Sequence, residues 1–331
     1  MEKAVKRIGV LTSGGDAPGM NAAVRAVVRT AQSCGIECVG IRRGYNGLIT
    51  GDFLPMDASS VSHIIHKGGT MLYTARSTEF KTPEGRKKAL ATCKLLGLDG
   101  IVTIGGDGTF RGALALSRQA AEHGNKLQVV GIPATIDNDI GCSHYTIGFD
   151  TACNTAIECI DKLRDTMQSH ERCSVVEVMG RHAGYLALCV GIAVGATAVL
   201  IPEREFDFDR DVVEPIRKSR LAGVTHFMVV VAEGAGSAVD IANRIKEEVG
   251  IDPRVTVLGH IQRGGTPSSR DRETASRMGY EAVMSLIQGR GNRVIATQEG
   301  SVVNLDMEEA LAMTKPFEME RYDVLEALNR H

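Results

Sequence analysis

Hydrophobic residues along the chain gather into short apolar runs separated by amphipathic stretches. The runs recur near residues 7–13, 37–42, 100–104, 127–132, 173–179, 197–201, 226–232 and 254–259, each long enough for a buried strand. Helical periodicity fills most of the gaps. From Thr151 to Met167, for example, Ala152, Ala156, Ile157, Ile160 and Leu163 form an apolar stripe, while Glu158, Asp161, Lys162 and Asp165 fall outside it. Strands alternating with helices in this way predict an α/β chain, with parallel sheets covered by helices on both faces.

One segment raises a membrane question. Tyr185 to Pro202 holds eighteen uncharged residues, near the lower length limit of a spanning helix. Gly191, Gly195, Thr197 and Pro202 interrupt it, so it reads as a buried helix over His182 to Val194 and a short strand over Thr197 to Ile201.

The 331 residues leave room for two domains, and 43% hydrophobic residues supply a core. A net charge of −2 gives no basic field for nucleic acid or an anionic membrane. The expected partners are therefore small molecules and further copies of the chain. Eight cysteines include no C-x-x-C pair and no zinc spacing, which predicts reduced thiols. The first seven residues lead straight into a strand with no apolar leader, so a cytoplasmic location is expected.

Chemistry concentrates where strands end in glycine. Ile104-Gly105-Gly106-Asp107-Gly108-Thr109 joins a strand to a helical stretch running to His123. Backbone N–H groups can close on an anion there, and Asp107 offers one carboxylate to a phosphate-bound Mg²⁺. Alone, the segment reads equally as a tight turn with Asp107 as the helix N-cap. Gly14-Gly15-Asp16-Ala17-Pro18-Gly19 repeats the design after the first strand, ahead of a helix from Met20 to about Cys34. Neither turn has the G-x-G-x-x-G or G-K-[ST] spacing of the common nucleotide folds, which speaks against a dehydrogenase or a P-loop enzyme. Two such turns on parallel strands would share the carboxyl edge of one sheet, where open α/β folds bind ligands. A third strand end carries Thr135-Ile136-Asp137-Asn138-Asp139. Its two carboxylates can divide the work of phosphoryl transfer, one accepting a proton and the other organising the metal and its waters. An Asx-turn is the plainer reading of that segment.

Taken in order, Thr12 to Asn21, Gly105 to Thr109, Thr135 to Asp139, Met179-Gly180-Arg181 and Gly259-His260-Ile261-Gln262-Arg263-Gly264-Gly265 closely resemble the bacterial type of ATP-dependent 6-phosphofructokinase. The resemblance extends from about Ile8 to Pro316. It implies two Rossmann-like parallel-sheet lobes with the active site in the cleft between them. Residues 1–147 plus 261–311 would bind ATP, and 148–260 plus 312–331 would bind fructose 6-phosphate. The implied reaction makes fructose 1,6-bisphosphate with MgATP, a glycolytic step.

The resemblance also assigns roles. Gly15, Arg76, Gly106, Asp107, Gly108 and Thr109 would hold the nucleotide, with Asp107 on Mg²⁺. Asp137 would take the proton of the sugar's 1-hydroxyl, assisted by Thr135, Asp139 and Arg181. Thr135, Asp137, Met179, Gly180, Arg181, Glu233, His260 and Arg263 would bind the sugar, while Arg172 and Arg254 reach the sugar phosphate of a neighbouring subunit in a homotetramer. A lone arginine reads as a solvated surface residue. The family pattern instead gathers them on the cleft, where a planar fork suits phosphate. Pyrophosphate-dependent relatives usually carry Asp after G-G-D and Lys before T-I-D-N-D. Gly108 favours ATP here, and Ala134 matches neither group. NAD and lipid kinases share G-G-D-G-T but would leave the later motifs unexplained.

Overall fold

The computed structural model describes residues 5–328; the outer ends of the two expected lobes, residues 1–4 and 329–331, lie outside the described residues. In chain order the elements are β1 (Arg7–Ser13), α1 (Met20–Ser33), β2 (Glu37–Ile41), α2 (Tyr45–Thr50), β3 (Phe53–Met56), α3 (Pro83–Leu96), β4 (Gly100–Gly105), α4 (Asp107–Glu122), β5 (Gln128–Pro133), α5 (Phe149–His170), β6 (Cys173–Val178), α6 (Tyr185–Ala193), β7 (Ala198–Leu200), α7 (Glu214–Leu221), β8 (Phe227–Ala232), α8 (Ala238–Val249), β9 (Arg254–Val257), α9 (Ser269–Ile287), β10 (Arg293–Gln298), β11 (Ser301–Asp306), α10 (Met307–Ala312) and α11 (Met319–Leu328). They divide between two compact units. One holds residues up to Thr135, Ile140–Asp150 and Arg263–Lys315; the other holds Ile136–Asp139, Thr151–Gln262 and the residues from Pro316 on.

The first unit is built on a seven-stranded sheet of order β11-β10-β5-β4-β1-β2-β3. Alternate side chains of its strands face opposite layers. Leu11, Val39, Ile41 and Ile101 pack with Leu48 of α2, Phe80 from the turn before α3, Ala89 and Cys93 of α3 and Leu116 of α4. The other face is covered by α1 and α9, which approach so closely that a Cβ on Gly279 would lie 2.5 Å from that of Ala26. The parallel sheet expected from the alternation needs correcting at its rims, because β3 and β11 run antiparallel to β2 and β10. Glu299 and Gly300, both at positive φ, form the two-residue turn that obliges β11 to return beside β10. At the opposite rim β3 carries Pro55, a residue confined to edge positions because it cannot donate to a ladder.

The second unit has a four-stranded, fully parallel sheet of order β7-β8-β6-β9. Cys173, Val175, Leu200, Val229 and Val231 meet Val212, Ile216, Ile241 and Ile245 on one side. At its C-terminal helix the Tyr322 hydroxyl donates to the Val199 carbonyl (3.0 Å), and Arg204 lies over the Tyr322 ring while pairing with the buried Asp211. The apolar stretch after residue 184 resolves into α6 and β7. No helix among the described residues is long and apolar enough to cross a membrane. No described cysteine forms a disulfide, and burial pushes the thiols of Cys38, Cys93 and Cys173 up to about 12, which makes them inert at neutral pH.

Candidate active site

In the first unit, strand register pairs Ser13 with Gly105 and Gly105 with Pro133. The turns that follow β1, β4 and β5 therefore stand in a row at the carboxyl edge, at the point where the strand order reverses. Each of the first two opens a helix whose N-cap is a glycine, Gly19 for α1 and Gly106 for α4, with no side-chain cap. No N-cap side chain then takes up the first N–H groups of either helix. Gly105 is required by closeness, since a Cβ there would fall 2.3 Å from the Ser13 carbonyl oxygen; at Gly106 and Gly108 nothing lies within 4 Å.

Side chains fasten these turns together. The buried Thr109 donates its hydroxyl to the Ser13 carbonyl (3.1 Å), tying the second turn to the first. Thr74 donates to the Gly14 carbonyl (2.7 Å) and Thr12 to that of Tyr73 (2.8 Å), so the segment leading to the exposed Arg76 runs along the first turn. Asp107 is the first residue of α4 rather than its N-cap, half-exposed and paired with Arg111 one turn on (2.7 Å). Arg263 lies against the first turn as well. Its guanidinium donates to the Asp16 carbonyl (3.1 Å) and occupies the space a side chain at Gly15 would need.

In the second unit, Met179-Gly180-Arg181 follows β6, Glu233 follows β8 and His260 comes three residues after β9. Register pairs Val178 with Ala232 and Glu177 with Val257, which brings these segments to one carboxyl edge. Gly180 and Arg181 both have positive φ. For Arg181 that conformation is strained. It is stabilised by its N–H, which donates to the Glu233 carboxylate at 2.6 Å. A Cβ on Gly234 would lie 2.4 Å from the Arg181 carbonyl, so the two loops touch through backbone. Gln262, fully buried, accepts from the Met179 N–H at 2.9 Å. Sequence reasoning did not single it out; its only signal was membership of the His260 to Arg263 motif.

Arg172 and Arg254 lie elsewhere. Arg172 precedes β6, and Arg254 opens β9 opposite Ser174. A six-residue strand spans roughly 20 Å, so both sit at the amino edge of the sheet, away from Met179 to Arg181. Thr135 ends a segment of the first unit and its carbonyl accepts from the Thr146 hydroxyl (2.6 Å), whereas Asp137 and Asp139 group with the second unit. Asp137 is buried, Asn138 has positive φ and Asp139 is exposed, so the two carboxylates sit in unlike surroundings.

Among the described residues no three His, Cys, Asp or Glu side chains come together as a metal site. A single half-exposed carboxylate at a helix N-terminus, flanked by glycines with open space, fits a hard cation that arrives with its own phosphate oxygens.

The phosphofructokinase family model matches residues 7–286. An ATP-dependent 6-phosphofructokinase of Clostridium botulinum (strain Hall) is 51% identical over 326 residues, covering 98% of this chain and 100% of its own. The solved phosphofructokinase of Saccharomyces cerevisiae aligns with a TM-score of 0.87 and 34% identity over 98% of this chain; the match spans 46% of the yeast chain, about half its length. A pyrophosphate-dependent phosphofructokinase from Marinobacter aquaeolei aligns with a TM-score of 0.85 over 99% of this chain and 92% of its own, at 21% identity, a likeness of fold.

Proposed function

The chain belongs to the phosphofructokinase family, and from that premise we propose that it transfers the terminal phosphoryl group of ATP to the 1-hydroxyl of fructose 6-phosphate. The observation that carries this reading is the row of turns after β1, β4 and β5, two of them opening helices without side-chain caps. Gly15, Gly106, Gly108 and Thr109 cradle the nucleotide phosphates, and Arg76 adds positive charge from the adjoining segment. Asp107 holds Mg²⁺, which supplies charge neutralisation on the phosphates when bound. Asp137 accepts the proton of the attacking hydroxyl. Thr135, Asp139 and Arg181 orient and neutralise around it, because phosphoryl transfer depends chiefly on positioning and electrostatics. Met179, Gly180, Arg181, Glu233, His260 and Arg263 hold the sugar phosphate.

Arg172 and Arg254, at the far edge of their own sheet, serve the sugar phosphate of another copy in a homotetramer. The protein works in the cytoplasm. Gly108 favours ATP as donor, since an added carboxylate there would repel the nucleotide's α-phosphate. A coupled assay decides the reading: fructose 6-phosphate is offered with ATP or pyrophosphate in turn, and ATP is expected to give at least about tenfold higher kcat/KM. Equal or better use of pyrophosphate overturns the donor, and no turnover with either overturns the reaction.

A further inference from the structure

We propose that Asp271 is a positioning residue that sets the spacing between the first glycine turn and the segment Pro133 to Thr135, where the third motif begins, acting through the loop from Tyr145 to Gly148. The proposal rests on the reading of that motif as the transfer site. Asp271 lies in the first turn of α9 and is fully buried. Its Oδ2 faces the cap, 3.4 Å from the Ser268 hydroxyl, while Ser268 accepts from the Asp271 N–H (3.2 Å). Its Oδ1 instead reaches a loop distant in sequence, where it accepts from the Gly148 N–H (2.6 Å) and from the Tyr145 hydroxyl. Burial first, then the charge of Asp271, raise the Tyr145 phenol well above its ordinary value, so it stays a donor through the physiological range. Arg270 covers the Tyr145 ring at 4.2 Å.

The loop so held is a wedge with two working faces. Toward the transfer motif, Thr146 donates its hydroxyl to the Thr135 carbonyl (2.6 Å) and Ile147 its N–H to the Pro133 carbonyl (3.1 Å). Toward the glycine turn, contact is so close that side chains are excluded. A Cβ on Gly148 would lie 2.6 Å from that of Ala17, and one on Gly19 would lie 2.6 Å from Ile147 and 3.4 Å from the Cβ of Asp271. Displacing the loop therefore moves Pro133 to Thr135 relative to the first glycine turn. Misplacement by about 1 Å costs on the order of 10² in rate.

Three variants test this, assayed well below their unfolding temperatures. Tyr145→Phe keeps the ring and removes one donor; it is expected to lower kcat about tenfold with both KM values within about threefold. Asp271→Ala is expected to lose more, and Asp271→Asn, which retains Oδ1, to recover most of that loss. Should Asp271→Ala fail to fold, Tyr145→Phe and Asp271→Asn carry the test. Amide exchange supplies a readout independent of turnover: in Tyr145→Phe the N–H groups of Ala134 and Ile147 exchange faster while those of β1 stay unchanged. Variants that only melt earlier, with wild-type kcat and wild-type exchange at Ala134 and Ile147, overturn the proposal. An unmodified protein inactive as a phosphofructokinase would overturn the proposed function instead, and exchange would still decide the positioning.

Discussion

At the carboxyl edge of the seven-stranded sheet the candidate contacts are backbone: glycines at Gly15, Gly106 and Gly108 and two helix N-termini without side-chain caps. At the corresponding edge of the four-stranded sheet they are side chains, Arg181, Glu233 and His260, which need a supporting layer. Glu233 braces the strained Arg181 and Gln262 the adjacent Met179. A backbone site is fixed once its strands are in register, because the N–H groups have no rotamers to lose. A side-chain site is only as precise as the hydrogen bonds behind it. The two edges should therefore fail differently when mutated.

The largest expected effect is at the motif whose residues are shared between the two units. Asp137→Asn should lower turnover by at least the roughly 10²–10⁴-fold that a general base contributes, with ATP affinity little changed. Near-normal turnover would remove Asp137 from its role. Next come two glycines at the backbone edge. Gly105→Ala places a methyl group against the Ser13 carbonyl, which cannot swing aside; overpacking of about 1–3 kcal/mol should appear as a lower melting temperature. Gly108→Ala enters open space and should melt like the parent, whereas Gly108→Asp should melt normally and yet lose ATP affinity through charge repulsion. Normal ATP kinetics in Gly108→Asp would show that this edge does not hold the nucleotide.

Much of the backbone edge was legible in the sequence, because glycine clusters mark where the strands end and parallel strands must end on one side. The hairpin of β10 and β11 was not. Its turn is Glu299-Gly300 instead of the Asn-Gly or Asp-Gly signal, and β11 is only half-buried and shows no clean alternation. The partners that brace the side-chain edge were hidden for a different reason: an acceptor such as Gln262 is recognisable only once the N–H it serves has a position. Asp271 left a fainter trace, since Ser268-Ser269-Arg270-Asp271 has the spacing of a capped helix start. That spacing announces a helix and says nothing of Tyr145, 126 residues away.

The smallest effect separates what Glu233 does for the backbone from what its charge does. Glu233 is exposed, and its Oε1 accepts the Arg181 N–H that holds the Met179 to Arg181 loop in its strained conformation. Glu233→Gln preserves that oxygen and removes only the charge, so kcat and both KM values should stay within about threefold of the parent, the scale of a neutral hydrogen bond retained in place of a charged one. Glu233→Ala removes the acceptor. The loop should then relax and KM for fructose 6-phosphate rise by roughly tenfold, with KM for ATP unchanged, since a hydrogen bond to a charged group is worth about 1.5–3 kcal/mol. If Gln proves as damaging as Ala, the negative charge itself is what the sugar requires of Glu233 and the supporting role is wrong. If neither change moves KM for the sugar phosphate, the side-chain edge of the second unit is not where that substrate binds.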